Sequence, residues 1–192
     1  MNSAGIEILS NPQPGAHIVY PYNDEAQLAD AVCLFASTGI RKVEAVLLVL
    51  SEGHYDPVRA LLARQGFDLQ DLEATGHLVC ENAKNLLGSF MFDGIIDERK
   101  FKTRLGGMIE KAKGGNGKEG NGKGTDRPVR VFGEMVNLIW TSNPKATQRL
   151  EELWNEVIKT HSIPLLCAYA LSGNRPNALP QPLLSCHSHA IA

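Results

Sequence analysis

The chain has 192 residues, of which 43% are hydrophobic, so it can bury one substantial core but is too short for two full domains. Its formal net charge of -2 and isoelectric point near 6.3 provide no concentrated basic surface, so we expect no direct binding to nucleic acid. The longest apolar run, residues 43–50, is far shorter than the roughly 20 residues that cross a bilayer, so no membrane span is expected.

The cysteines and the first residues predict the compartment. The four cysteines are scattered without a CxxC pair, and residues 1–15 lack a charged segment followed by an apolar one. Together these features predict a reduced, cytoplasmic protein without a secretory signal.

The first half of the chain alternates short apolar runs with helical patterns. Residues 1–15 are predicted to be an N-terminal extension, and residues 16–20 a first buried strand. Asn23 stands at the expected N-cap of a helix over about 24–38. The remaining predicted elements of this half are a central strand at 43–50, a helix around 58–62 and a short third strand at 77–80.

The second half continues this alternation. Residues 82–96 follow neither period and predict a loop with one helical turn. The elements predicted after it are a helix from Asp97, a strand at 129–132, a helix opened by Asn143 and Pro144, and a strand at 164–171. Residues 172–192, rich in Pro, Ser and His, predict a flexible tail.

The order of these elements predicts the fold class. Strands separated by helices require right-handed crossovers, which give an α/β fold of three layers around a mostly parallel sheet. We therefore expect a single domain over residues 16–171 with five strands or slightly more.

A glycine-rich stretch over residues 114–126 contains the spacing GxxxxGK of a phosphate-binding loop. It follows a predicted helix and precedes a predicted strand, which is the reverse of the order that such a loop needs, and Gly124 replaces the expected Ser or Thr. The stretch is therefore predicted to be a solvated connector inserted into the domain.

Polar and aromatic side chains follow the predicted strands at their carboxyl ends, where ligands bind in parallel sheets. The candidates for ligand binding at this edge are Tyr20, Tyr22, Asn23, Glu52, His54, Tyr55, Glu81 and Glu134. Such a set could bind a polar or cationic small molecule, hold a divalent metal or act as acid and base. The alternative is structural, since carboxylates after strands often cap helices and aromatic side chains often close the core.

Glu134 and His17 are the candidates whose surroundings are most informative. Glu134 begins an otherwise apolar stretch up to Trp140, also a candidate, so its carboxylate must be paired, hydrogen-bonded or facing a ligand. His17 opens the first strand, where a buried neutral imidazole bonded to a backbone carbonyl is commoner than a metal ligand. We retain it as a ligand-binding candidate.

The segment Cys186-His187-Ser188-His189 offers one thiol and two imidazoles. A flexible tail, however, lacks the preorganised remaining ligands of a structural zinc site, so no metal site is predicted there. No hydrolase triad or other catalytic residue is indicated either, and no cofactor is expected.

One combination of residues resembles a known family. It comprises His17 and Tyr20 in the first strand, Gly39-Ile40 before the second, the passage GFDLQDLEATGHL, the GEM after the fourth strand, and Cys167 and Tyr169 in the fifth. With these residues, the region from 16 to 171 resembles the MEDS domain, the sensory domain of methanogen and methylotroph proteins found in the dichloromethane-dehalogenase repressor.

The MEDS domain is similar in turn to RecA-type ATPases of the circadian-clock KaiC group, which implies a RecA-like fold. In those ATPases a phosphate loop follows the first strand. Here that position reads YPYNDEA, without glycine or lysine and with two acids, so we expect triphosphate binding to be lost.

The resemblance implies a non-catalytic sensory domain that binds a small organic ligand, such as a hydrocarbon derivative. Its signal would pass to a signalling or transcription-regulatory protein, or through self-association as a homodimer. Two alternatives remain open. One is a residual nucleotide-binding protein or metal-dependent hydrolase that uses Glu52, Glu81 or Glu134, and the other is an interaction scaffold that uses the sheet or residues 140–158.

Overall fold

In a computed structural model that describes residues 1–114, 127–171 and 178–191, a central parallel sheet lies between two layers of helices. The described strands are β1 His17–Tyr22, β2 Ala45–Leu50, β3 Leu78–Asn82, β4 Met91–Phe92, β5 Ile95–Ile96, β6 Val129–Gly133, β7 Leu165–Ala170 and β8 His189–Ala190. The described helices are α1 Ser3–Ser10, α2 Glu25–Arg41, α3 Glu52–Arg64, α4 Leu69–Ala74, α5 Ala83–Gly88, α6 Glu98–Gly114, α7 Pro144–His161 and α8 Gln181–Leu184, with a 3₁₀ helix at Met135–Leu138.

The six-stranded sheet has the order β3-β2-β6-β7-β1-β8, and all its pairings are parallel. The short strands β4 and β5 form a separate antiparallel hairpin. This architecture confirms the predicted three-layer α/β fold and is consistent with a RecA-like arrangement.

The central strand β2 explains the three layers. All six of its side chains are apolar and buried, as a strand covered on both faces requires. Leu47 and Val49 pack in the core beneath α6 and α7, whereas Val46 and Leu48 pack in the core beneath α2 and α3. Alternation of side chains along the strand thus divides the protein into two cores.

The N-terminal extension is a packed helix, held by a buried arginine. Leu9 of α1 is fully buried, and its carbonyl accepts a hydrogen bond from the Arg130 guanidinium at 3.4 Å. The same guanidinium donates to the Phe35 carbonyl at 2.8 Å and pairs with Glu44. Gly39 makes room for it, since a Cβ there would lie 2.5 Å from the Arg130 Nε.

The C-terminal segment, residues 178–191, differs from the expected flexible tail. Strand β8 extends the sheet beside β1, and the Ser188 backbone N–H donates to the His17 carbonyl at 2.8 Å. Leu183 and Ile191 are buried. These spaced apolar side chains fasten the segment to the domain.

Smaller differences concern the boundaries of elements, and two of the predictions fall partly on residues outside those that the structure describes. Helix α5 and the β4–β5 hairpin occupy most of the region predicted as a loop. Residues 115–126 of the glycine-rich stretch and 172–177 of the predicted tail lie outside the described residues; α6 ends directly before the former, and β6 begins after it, as predicted. Among the described helices, none is both long and apolar enough for a membrane crossing.

Candidate functional site

The carboxyl ends of β2 and β6 meet at the centre of the sheet. The chain leaves β2 towards β3 and leaves β6 towards β7, in opposite directions, which makes this the switch point where open α/β sheets bind ligands. Glu134 occupies the position. It is fully buried, and its carboxylate accepts the backbone N–H of Ser51 at 2.7 Å, where the start of α3 favours negative charge.

His54 links this buried carboxylate to a second one. Its Nδ1 lies 2.6 Å from Glu134 Oε1, and its Nε2 contacts Glu25 of α2. Ionised carboxylates only accept hydrogen bonds, so both ring nitrogens carry hydrogen. The hydrogen bond to Glu134 outweighs the effect of burial and, with the charges of Glu134 and Glu25, raises the pKa of His54 to about 9. We call Glu25, His54 and Glu134 the edge bridge.

The edge bridge leaves little of the switch point open. The His54 side chain is only 13% exposed, and the Tyr22 ring lies edge-on to it with centroids 6.3 Å apart. Asn137 donates to the Tyr22 hydroxyl at 3.3 Å. Apart from Ser51 Oγ, which is buried without a hydrogen-bond partner, these described polar groups satisfy one another. The structure thus brings Tyr22, His54 and Glu134 together, at an edge that the protein's own side chains fill.

Four other candidates lie apart from the edge bridge. Tyr20 is buried in the core on the α2 face, Trp140 is buried in the opposite core, and Glu52 is exposed in the first turn of α3. Asn23 is exposed and does not cap α2. The cap is Asp24, whose carboxylate accepts the Ala26 N–H at 2.7 Å. A carboxylate therefore occupies the helix start where a phosphate loop would hold phosphate.

Tyr55 and Glu81 line a different feature, an open groove along the free edge of β3. Strand β3 pairs with β2 on one side, and on its other side the groove, with a volume of about 1340 Å³, separates it from α6. Val79 and Met108 give the groove apolar surface. Its cationic side chains include Arg99, Arg104 and Lys111 from α6, none of which forms a salt bridge with a described residue. We call this feature the β3 groove.

A separate group of polar side chains lies inside the core between β1, β7, α7 and the C-terminal segment. We call His17, Glu151, Cys167 and His187 the buried cluster. Glu151 and Cys167 are fully buried, His17 is 2% exposed, and the His187 side chain is 1% exposed. The four potential ligand atoms all lie within 4.8 Å of one another.

Glu151 is the centre of the buried cluster. Its Oε2 lies 3.2 Å from His17 Nε2 and 3.7 Å from Cys167 Sγ, and its Oε1 lies 3.3 Å from His187 Nε2. The Tyr169 hydroxyl donates to the same carboxylate. Burial raises the pKa of the Glu151 carboxyl, but its interactions with the nearby His17 and His187 rings outweigh the effect of burial, so this pKa lies below its ordinary value.

The pKa values of the thiol and the phenol beside Glu151 are shifted in the opposite direction from that of the Glu151 carboxyl. Burial, reinforced by the neighbouring Glu151 charge, raises the pKa of the Cys167 thiol and of the Tyr169 hydroxyl. Both groups therefore present hydrogens to the carboxylate. The cluster concentrates one negative charge, a thiol and two imidazoles in a space closed to solvent.

The family to which the chain belongs follows from a comparison with known families. The profile described as "MEDS: MEthanogen/methylotroph, DcmR Sensory domain" matches residues 16–188. The chain belongs to the MEDS family. The match confirms the resemblance and assigns the domain a sensory, regulatory role; no curated protein matches the chain.

The matched range places both polar clusters inside the MEDS domain. It begins one residue before His17 and continues past the boundary expected at 171, through His187. Sequence reasoning missed Glu151, which stands between Leu150 and Leu153 on the apolar face of α7. A carboxylate at such a position was the signal that could have found the cluster, since a buried charge needs a partner.

Proposed function

We propose that this MEDS domain senses a small organic anion with an apolar body, and that the ligand binds in the β3 groove. The observation that carries the proposal is the combination of apolar surface with three cationic side chains that have no described ion-pair partner. Of the residues proposed from the sequence as ligand-binding, Tyr55 and Glu81 line this groove, whereas the edge bridge fills the polar switch point.

The groove has the size and the surfaces that such a ligand needs. Drug-sized ligands occupy cavities of roughly 300 to 1,000 Å³, so the groove, at about 1340 Å³, has room for a ligand and accompanying water. Val79 and Met108 offer apolar contact to a hydrocarbon body, and each buried methylene contributes about 0.8 kcal/mol.

The cations favour a carboxylate or a similar anion as the polar end of the ligand. Arg99 and Arg104 can each bind a carboxylate through two parallel hydrogen bonds, which fixes its orientation. Glu81, on strand β3 across the groove from α6, disfavours an anion there and directs the charged group towards α6. A bound anion would neutralise the exposed face of α6. We propose that a signalling or transcription-regulatory partner, or a second copy of the chain, responds to this change.

Ligand binding to the folded state raises thermal stability, which provides the test. The full chain is screened with aliphatic carboxylates, phosphates and sulfonates of increasing chain length, with neutral and cationic analogues beside them, and the hits are measured by calorimetry. We expect anions with longer apolar bodies to bind most tightly. Arg104→Ala should lower the affinity for these anions about 10-fold.

Lys102→Ala is the matched control, because Lys102 lies on the same helix but pairs with Glu156 outside the groove. It should leave the affinity unchanged. The proposal is overturned if no anion in the panel binds, or if binding is unaffected by Arg104→Ala. Preference for cationic analogues, lost in Glu134→Gln, would instead identify the edge bridge as the site.

A further inference from the structure

The two imidazoles of the buried cluster are oriented in the same way. His17 Nδ1 lies 2.9 Å from Asn155 Oδ1 and 3.1 Å from the Cys186 carbonyl oxygen, and His187 Nδ1 lies 2.8 Å from the Leu183 carbonyl oxygen. Carbonyl oxygens only accept, and Asn155 uses its amide nitrogen to donate to the Cys186 carbonyl at 3.0 Å. Each Nδ1 therefore carries a hydrogen, and the Nε2 of each ring points at the Glu151 carboxylate.

This orientation is the one that protein metal sites impose on their histidines. A ligating imidazole donates its other N–H to a carbonyl or a carboxylate, which fixes the tautomer and the direction of the lone pair. His187 Nε2 adds an independent observation, since it is buried and has no hydrogen-bond partner among the described residues, although it is aimed at the Glu151 carboxylate 3.3 Å away. A buried nitrogen of this kind normally has a partner.

The spacing of the potential ligand atoms fits a tetrahedral ion. Bonds of 2.0 to 2.3 Å to nitrogen, oxygen and sulfur imply ligand-to-ligand distances of roughly 3.3 to 3.7 Å. His17 Nε2 lies 3.2 Å from Glu151 Oε2 and 3.4 Å from Cys167 Sγ. Cys167 Sγ lies 3.7 Å from Glu151 Oε2, so three ligand atoms already stand at this spacing.

Charge balance also favours a divalent ion. A thiolate at Cys167 and the carboxylate of Glu151 together carry two negative charges, which one divalent cation cancels within a space closed to solvent. The cation would take the place of the thiol proton, which leaves to solvent as the ion binds. A sulfur ligand and two imidazoles select zinc or a similar transition metal over magnesium and calcium, which prefer oxygen.

We infer that His17, Glu151, Cys167 and His187 form a binding site for one zinc-like divalent transition-metal ion within the core. The four ligands come from β1, α7, β7 and the segment after α8, so the ion fastens the C-terminal segment to the sheet. Asn155 orients His17 from outside the ligand set. The site is independent of ligand binding in the β3 groove.

Zinc content of the full chain tests the inference. The chain is reconstituted with zinc, desalted and analysed for metal and protein, with affinity measured against a chromophoric chelator. We expect about one zinc ion per chain, an affinity loss of more than about 100-fold in Cys167→Ser and His187→Gln, and a loss of about 10-fold in Asn155→Ala. Cys186→Ser is the control, because its thiol donates to the Pro182 carbonyl, and should bind zinc normally.

Cobalt substitution tests the inference even if the Cys167 and His187 variants fail to fold, because it is measured on the wild-type chain. Cobalt in the wild-type chain should show thiolate-to-metal charge-transfer absorption and the visible bands of tetrahedral coordination, both retained in Cys186→Ser. The inference is overturned if the reconstituted wild type holds no more zinc than a chain kept without added metal, if zinc survives Cys167→Ser and His187→Gln unchanged, or if the cobalt complex lacks thiolate absorption.

Discussion

The edge bridge and the buried cluster use the same residue types in opposite proportions. In the edge bridge one imidazole, His54, lies between the carboxylates of Glu134 and Glu25. In the buried cluster two imidazoles, His17 and His187, face the single carboxylate of Glu151. The first arrangement contains its own cation, because the imidazole is protonated. In the second, two ring nitrogens and one negative charge surround the space in which we infer a bound cation.

The orientation of the ring nitrogens accounts for this difference. Both nitrogens of His54 face acceptors, so neither lone pair is free to bind a ligand. In the buried cluster each Nδ1 is occupied by a carbonyl oxygen, and each Nε2 faces inwards. A group of histidines and acids is therefore interpretable only when the partner of every ring nitrogen is known.

Removing the central carboxylate of the buried cluster should have the largest effect on stability. We expect Glu151→Ala to lower the free energy of unfolding by about 3 to 5 kcal/mol, because it leaves buried polar groups unpaired and creates a cavity. Urea unfolding measures the change. Glu152→Ala is the control, since that side chain is 44% exposed and pairs with Arg149, and it should change stability by less than about 1 kcal/mol. Equal losses in the two variants would contradict the assigned role of Glu151.

The edge bridge should give a smaller effect that depends on pH. Folding raises the pKa of His54 from 6.5 to about 9, so its contribution is complete below pH 6.5 and is lost as the pH rises through about 9. We expect a decline of about 1 to 2 kcal/mol over this range, after allowing for solvent screening. Unfolding measured across the range should show the decline in the wild type and a much flatter profile in His54→Gln. Identical pH profiles in the two proteins would contradict the assigned contribution of His54 to stability.

The exposed arm of the edge bridge should matter least. The Glu25 side chain is 62% exposed, so Glu25→Gln should lower the free energy of unfolding by only about 0.5 kcal/mol. The same change should lower the pKa of His54 only slightly. An NMR titration of His54 follows that pKa directly. Glu134→Gln, which removes the fully buried partner, should lower it much further. The reverse ranking would show that the buried carboxylate is not the dominant partner.

Local patterns predicted most of the fold. The apolar stripe of α2 and the continuous apolar run of β2 are each formed by residues close together in the chain. Both patterns can therefore be recognised in the sequence. Parallel strands end at the same edge, which is why the strand order alone predicts that Tyr22, His54 and Glu134 lie near one another, as they do in the structure. Tyr55, the next residue along α3, points towards the β3 groove because successive helical side chains are rotated by about 100°.

The buried cluster depends on contacts that no local pattern contains. His17 meets His187 only because β8 pairs with β1 across the length of the chain. The composition of residues 172–192 is typical of a flexible tail. A metal site needs preorganised ligands, so nothing in the sequence predicts one that includes His187. The missing information was the register of a two-residue strand, which sequence periodicity cannot supply.

The central claim is that one cluster binds a cation and the other supplies its own. It is tested most directly by zinc binding to His187→Gln and His54→Gln, each exchanging one imidazole for the same amide. We predict that zinc binding is lost in His187→Gln and retained at about one ion per chain in His54→Gln. Retention in both variants, or loss in His54→Gln alone, would contradict the account.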